Sequence, residues 1–279
     1  FEVLSDSTSL TPGKITTDRQ TGVILHRGRA FEARDLAALA AGSDPMAAIG
    51  AKVANYVNHQ RQKDLLSCLA GVFGSLGSTS SSAAFFPLTI DGESGDTPTV
   101  LSPRHVAEAK SLLGDQGEKM TAMCVHSKVY YDLVERRAID FIYDNNGVGD
   151  ANADSGSTAN AFGQVAVPQF MGLRVIVSDD VQTAGSGSTT EYATYFFTQG
   201  AVASGEQLAL QTETDRDILA KSDAMSIDLH YCYHPVGSRW TASDVNPNRS
   251  TLETVGNWSK VYETKNLGIV RVTNTSNMD

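Results

Sequence analysis

The chain has 279 residues, of which 41% are hydrophobic and 19% charged, and its 32 acidic and 22 basic side chains give a formal net charge of −10. This is the composition of an ordinary folded chain with room for one large core or two modest ones, so it excludes a disordered polymer. The longest apolar runs, at residues 173–177 and 193–197, fall far short of the roughly 20 residues a membrane-spanning helix requires, and without a Lys/Arg cluster tight phosphate binding is not expected, because an acidic surface repels nucleic acid.

In chain order, residues 3–30 hold a Thr11-Pro12-Gly13-Lys14 turn between β-branched flanks at 15–17 and 21–25. That pattern predicts an extended, mostly polar β-arm with little to bury alone. A short helix is predicted over 32–41 and ends at Gly42. Asp44 as a cap and Pro45 at the first helical position then open the clearest element. Met46, Ile49, Val53, Tyr56, Val57, Leu65, Leu66, Leu69, Val72 and Phe73 recur mostly at three- and four-residue steps, with Lys52, Arg61 and Lys63 on the complementary side. The spacing predicts a helix over 44–73, about 40 Å long at ~1.5 Å per residue.

A Ser/Gly-rich loop is predicted over 74–84, a helix from Ser102-Pro103 to Leu113, a strand over 120–125, and a helix from Lys128 to Arg137 capped by Ser127. Residues 143–161 read as a long Gly/Asn/Asp/Ser loop. Strands follow at 173–177, 193–197, 225–233 and 267–272, the third alternating strictly, with Met225, Ile227, Leu229, Tyr231 and Tyr233 on one face. Helices and strands mix without a βαβ rhythm, so the expected class is α+β.

Four constellations carry side chains or glycines that chemistry could use. His230, Cys232 and His234 share one side of the 225–233 strand and its continuation and offer zinc donors, but ligands about 7 Å apart along a strand do not converge on one ion. Asp150, Asn152 and Asp154 open like a calcium loop, which then fails at Ser155 and Ala161, where Gly and Glu are required. Cys124 and His126 face the same side of a strand and make a thiolate pair conceivable, against a buried thiol as the default. The pairs Gly147/Gly149 and Gly185/Gly187 lack a third glycine, and no nucleophile elbow or phosphate loop is present. Cys68, Cys124 and Cys232 are too few and too far apart for a disulfide scaffold. The sequons at Asn248, Asn257 and Asn274 arise readily by chance, and Trp240 and Trp258 read as packing or contact anchors. No catalytic, cofactor-binding or metal residue is therefore assigned, and the expectation is a protein that is not an enzyme.

Several segments together resemble the major capsid proteins of tailed bacteriophages, of the Hong Kong 97 type. They are EVLSDSTSLTPGKIT, DPMAAIGAKVANYVNHQRQKDLLSCLAGVF, CVHSKVYYDLVER, FMGLRVIVSDD, TYFFTQGAVASG and ETDRDILAKSDAMSIDLHYCYHPVGSRW, in that order over nearly the whole chain. The resemblance implies an α+β capsid fold with an extended loop, a peripheral domain with a long spine helix, and an axial domain. It divides the chain into the returning half of the extended loop (1–31), the peripheral domain with its spine helix at 44–73 (32–100), the axial domain (101–210), the peripheral return (211–245) and a C-terminal segment that joins the axial domain (246–279). An N-terminal arm and the outgoing half of the loop would precede Phe1.

The same resemblance implies hexamers and pentamers that assemble in the host cytoplasm into an icosahedral virion shell around double-stranded DNA. The implied partners are the chain itself and portal, scaffolding and decoration or cement proteins, with no membrane and no cofactor. Some relatives cross-link a loop lysine to a neighbour's asparagine; Lys14 lies at such a turn, where a solvated residue is the plainer expectation. The alternatives are an encapsulin-like nanocompartment shell, a metal-dependent hydrolase built on His230, Cys232 and His234, and a monomeric binding module.

Overall fold

The computed structural model describes residues 18–42, 45–74, 76, 89–90, 99–143, 166–186 and 190–278. Through them run β1 (Leu25–Arg34), α1 (Asp35–Ala41), α2 (Pro45–Phe73), β2 (Thr89–Ile90), α3 (Pro103–Leu112), β3 (Met120–Val125), α4 (Ser127–Glu135), β4 (Asp140–Tyr143), β5 (Ala166–Phe170), β6 (Leu173–Val177) and β7 (Thr183–Ala184). Then come β8 (Glu191–Thr198), β9 (Val202–Asp217), β10 (Ser222–Pro235), β11 (Ser238–Trp240), α5 (Arg249–Leu252), β12 (Trp258–Lys260) and β13 (Ile269–Asn274). The mixture is α+β.

The spine helix α2 changes character along its length. Its first half buries only the Val53 and Val57 stripe, whereas Leu66 to Phe73 is buried on every side. The second half is thus a core helix and the first a strut. Gly74, at φ +85°, ends it, donating its N–H to the Ala70 carbonyl at 2.8 Å.

Among the described residues the strands form two main sheets, joined through the consecutive β8 and β9, and a two-stranded ladder of β11 with β12. The larger orders its strands β2-β13-β8-β3-β6-β5-β4, with β7 also on β8. Its centre is apolar: Met123, Val125, Tyr195, Phe196, Val270 and Val272 are buried. The smaller sheet is β1-β10-β9, antiparallel throughout. One face of β10 presents Met225, Ile227, Leu229 and Tyr231, all buried and alongside α2, as the alternation requires. Arg271 of β13 ties the larger sheet to the end of α2, donating to the Gly74 carbonyl with its guanidinium carbon 5.6 Å from the Phe73 ring.

Several expectations need correction. The helix expected over 32–41 begins only at Asp35, because Glu32, Ala33 and Arg34 remain in the ladder opposite Ala224, Asp223 and Ser222. Residues 21–24 are not strand; β1 starts at Leu25. The cap of α4 is His126 rather than Ser127, its ring accepting from the Lys128 N–H at 3.2 Å. The last strand lies at Ile269–Asn274, two residues later than expected. The division expected between residues 210 and 211 falls inside β9, which pairs with β10 on both sides of that point. Asp44, the 11–14 turn with Lys14, residues 77–84 of the Ser/Gly loop, and residues 144–161, with Gly147, Gly149, Asp150, Asn152 and Asp154, lie outside the described residues.

Candidate assembly surfaces

The His/Cys strand does not converge. The His230 ring is held apart from the other two by its neighbour on β1: it stacks on His26, centroids 4.0 Å apart and planes 14° apart. Cys232 and His234 instead lie against Gly22, where an added Cβ would come within 3.0 Å of the Cys232 sulfur and 3.4 Å of the His234 ring. Among the described residues, no group of three or more His, Cys, Asp or Glu side chains is placed to hold a metal. The hydrolase arrangement therefore has no geometric support.

The second thiol candidate is equally inert. Burial pushes the Cys124 thiol up to about 12, and burial together with the nearby Asp64 carboxylate pushes Cys68 higher still, so neither is a thiolate nucleophile at neutral pH. His126 spends its ring on the α4 cap. Trp240 and Trp258 are packing anchors: their rings meet edge-on at 5.1 Å, and the Trp258 indole donates to the Leu252 carbonyl at 2.7 Å.

What the structure does assemble is a set of fastenings around one buried carboxylate. Asp64 of α2, fully buried, accepts from Arg27 Nε of β1 at 3.1 Å, from Arg249 Nε of α5 at 2.6 Å and from the Tyr231 hydroxyl of β10. Three remote segments are pinned to the spine helix, and three bonds share the carboxylate's two oxygens. The sequence reading missed this residue. A signal existed: Asp64 lies seven residues after Val57 and four before Cys68, so it sits on the buried stripe.

The other feature is an apolar end. The turn of the β9–β10 hairpin leaves Ile218 80% and Leu219 97% exposed, at the end where α1 leaves Leu36 76% and Leu39 80% exposed. Arg216 fixes this end by bridging Asp35 at 2.7 Å and Asp223 at 2.8 Å, and the Asp35 N–H donates to the Lys221 carbonyl at 3.0 Å. The Asp217 carboxylate accepts from the N–H groups of Leu219 and Ala220 at 2.8 and 3.0 Å, so the turn is held while its apolar side chains face water. Four large aliphatic side chains gathered at one braced end form the kind of patch that marks a contact surface.

A family model described as "Gp13-like: Major capsid protein 13-like" matches residues 2–268. A major capsid protein of Bacillus phage SPP1 is 32% identical over 276 residues, covering 97% of this chain and 78% of that protein. The fold is similar to that in the head structure of Helicobacter pylori bacteriophage KHP40, with a TM-score of 0.54, 8% identity, and coverage of 97% of this chain and 82% of that one. It is similar also to the cyanophage Pam1 capsid asymmetric unit, with a TM-score of 0.53, 12% identity, and coverage of 97% and 83%.

Proposed function

The chain belongs to the Gp13-like family of phage major capsid proteins, and we propose that it builds hexameric and pentameric capsomers that close into an icosahedral shell around double-stranded DNA. The exposed Leu36, Leu39, Ile218 and Leu219 end carries this reading, because a soluble monomer gains nothing by bracing four large aliphatic side chains in water. In a closed symmetric assembly the same side chains are buried between copies.

On this reading α2 with the β1-β10-β9 sheet is the peripheral domain, the larger sheet with α3 and α4 is the axial domain, and β1 with the residues before it is the returning half of the extended loop. The net charge of −10 suits a wall that must not adhere to packaged phosphate. The shell is assembled in the host cytoplasm, with portal, scaffolding and decoration proteins as partners.

The paired substitution Ile218→Ser and Leu219→Ser tests the reading. Both side chains are exposed, so the unfolding free energy of the isolated subunit stays within about 0.5 kcal/mol of the parent, while particle formation followed by light scattering drops at least tenfold. Undiminished particle formation would remove the hairpin end from the assembly contacts.

A further inference from the structure

The surroundings of Asp64 carry more positive charge than its carboxylate balances. Arg27 and Arg249 both donate to it. A third guanidinium, that of Arg29, belongs to the same face of β1, two residues beyond Arg27. The three arginines and Asp64 line one cavity of about 90 Å3 where β1, α2, β10 and α5 meet. Among the described residues that line it, Asp64 is the one acidic side chain, so two positive charges stay unbalanced. The carboxylates farther along are committed elsewhere, Glu206 to Arg61 and Glu253 to the Ser67 hydroxyl.

The hydrogen-bond inventory of the cavity is equally lopsided. Arg27 spends Nη1 on the His26 carbonyl and Asn246 Oδ1, and Nη2 on the Pro247 carbonyl at 2.8 Å. Arg249 spends Nη2 on Gln60, at 2.6 Å from Oε1. Nη1 of Arg249, the whole Arg29 guanidinium and the Tyr56 hydroxyl donate to no described residue. The side-chain acceptors nearby are already engaged: Asp64 takes three bonds and Gln60 Oε1 takes Arg249. Spare donors with no spare acceptor are what an anion satisfies.

Size and shape narrow the class. The cavity is far below the roughly 300 Å3 of a pocket for an organic ligand, so a nucleotide does not fit. Val57, Ile227 and Leu229 form apolar walls, which weaken the screening that an ion meets on an open surface. Guanidinium forks match oxygens held on one central atom, which each can grip in pairs.

We infer that this cavity binds one small dianionic oxyanion, phosphate or sulfate, between Arg29 and Nη1 of Arg249. The bound ion balances the two excess charges and joins β1 to α5 across α2, a second fastening beside Asp64. Arg29 and Arg249 stand at opposite ends of the chain, so the sequence shows no basic cluster where the fold makes one. The site is a property of the single subunit and holds whether or not the shell reading does.

The test compares the full chain in sodium phosphate and in sodium chloride at equal ionic strength. The thermal midpoint should rise by about 3 °C and level off in the millimolar range, as one site filled at tenfold over its Kd requires. Sulfate should act as phosphate does. Arg29→Gln should lose most of that rise and weaken the phosphate Kd, measured by titration calorimetry, at least tenfold. Arg174→Gln, which removes an exposed arginine from β6 instead, should keep both. An excluded salt stabilises any fold without saturating, so a rise that never levels off and is shared by all three proteins would overturn the inference. An Arg29→Gln variant that binds phosphate as tightly as the parent would overturn it as well.

Discussion

Asp64 and Arg249, 185 positions apart in the chain, meet at 2.6 Å between Oδ1 and Nε. The carboxylate is fully buried, while the Arg249 side chain remains 38% and the Arg27 side chain 25% exposed. Replacing Asp64→Ala leaves two guanidinium groups and the Tyr231 hydroxyl without their acceptor. The expected loss is about 2–3 kcal/mol, below the roughly 3–5 kcal/mol of a fully buried pair because both arginines still reach water. Urea unfolding of the isolated subunit measures it, and a loss under about 0.5 kcal/mol would mean the node is not a fastening.

The second prediction concerns Gly71, on the fully buried half of α2. A Cβ there would lie 1.8 Å from the Leu252 carbonyl oxygen and 2.5 Å from Trp258 Nε1. The helix can approach α5 this closely only without a side chain. Gly71→Ala should destabilise the subunit by about 3 kcal/mol through overpacking, although alanine is the better helix former. A gain in thermal midpoint would contradict the contact.

Stability should also fall on mild acidification. Burial lowers both His105 and His234 below their ordinary value of 6.5. The unfolded chain binds protons near that value while the folded chain resists them, so this contribution is fully present above about pH 6.5 and is lost as pH drops through the lowered folded values. The urea midpoint should be lower at about pH 5 than at about pH 7.5, and His105→Asn with His234→Gln should shrink the difference. An unchanged difference in the double variant would assign the pH dependence to other groups.

What the sequence disclosed followed from periodicity. The α2 span was legible from its three- and four-residue apolar steps and the Pro45 start, and β10 from its alternation of Met225, Ile227, Leu229 and Tyr231. β9 was not: Val202–Asp217 reads VASGEQLALQTETDRD and is exposed for most of its length, so neither face leaves an apolar mark, and only the ladder with β10 makes it a strand. The 32–34 stretch was read as helix because pairing with a strand nearly 200 residues away overrides local propensity. The even spacing of His230, Cys232 and His234 was visible, whereas their separate neighbours, His26 for the first and Gly22 for the other two, were not. The assembly end was missed for a different reason: Ile218 and Leu219 look like core residues until the fold shows that nothing covers them.

Negative-stain electron microscopy of the purified protein tests the central claim most directly. The account predicts uniform polyhedral shells or capsomer rings. A monodisperse monomer near the 29.8 kDa chain mass, at concentrations where the related capsid proteins assemble, would contradict it.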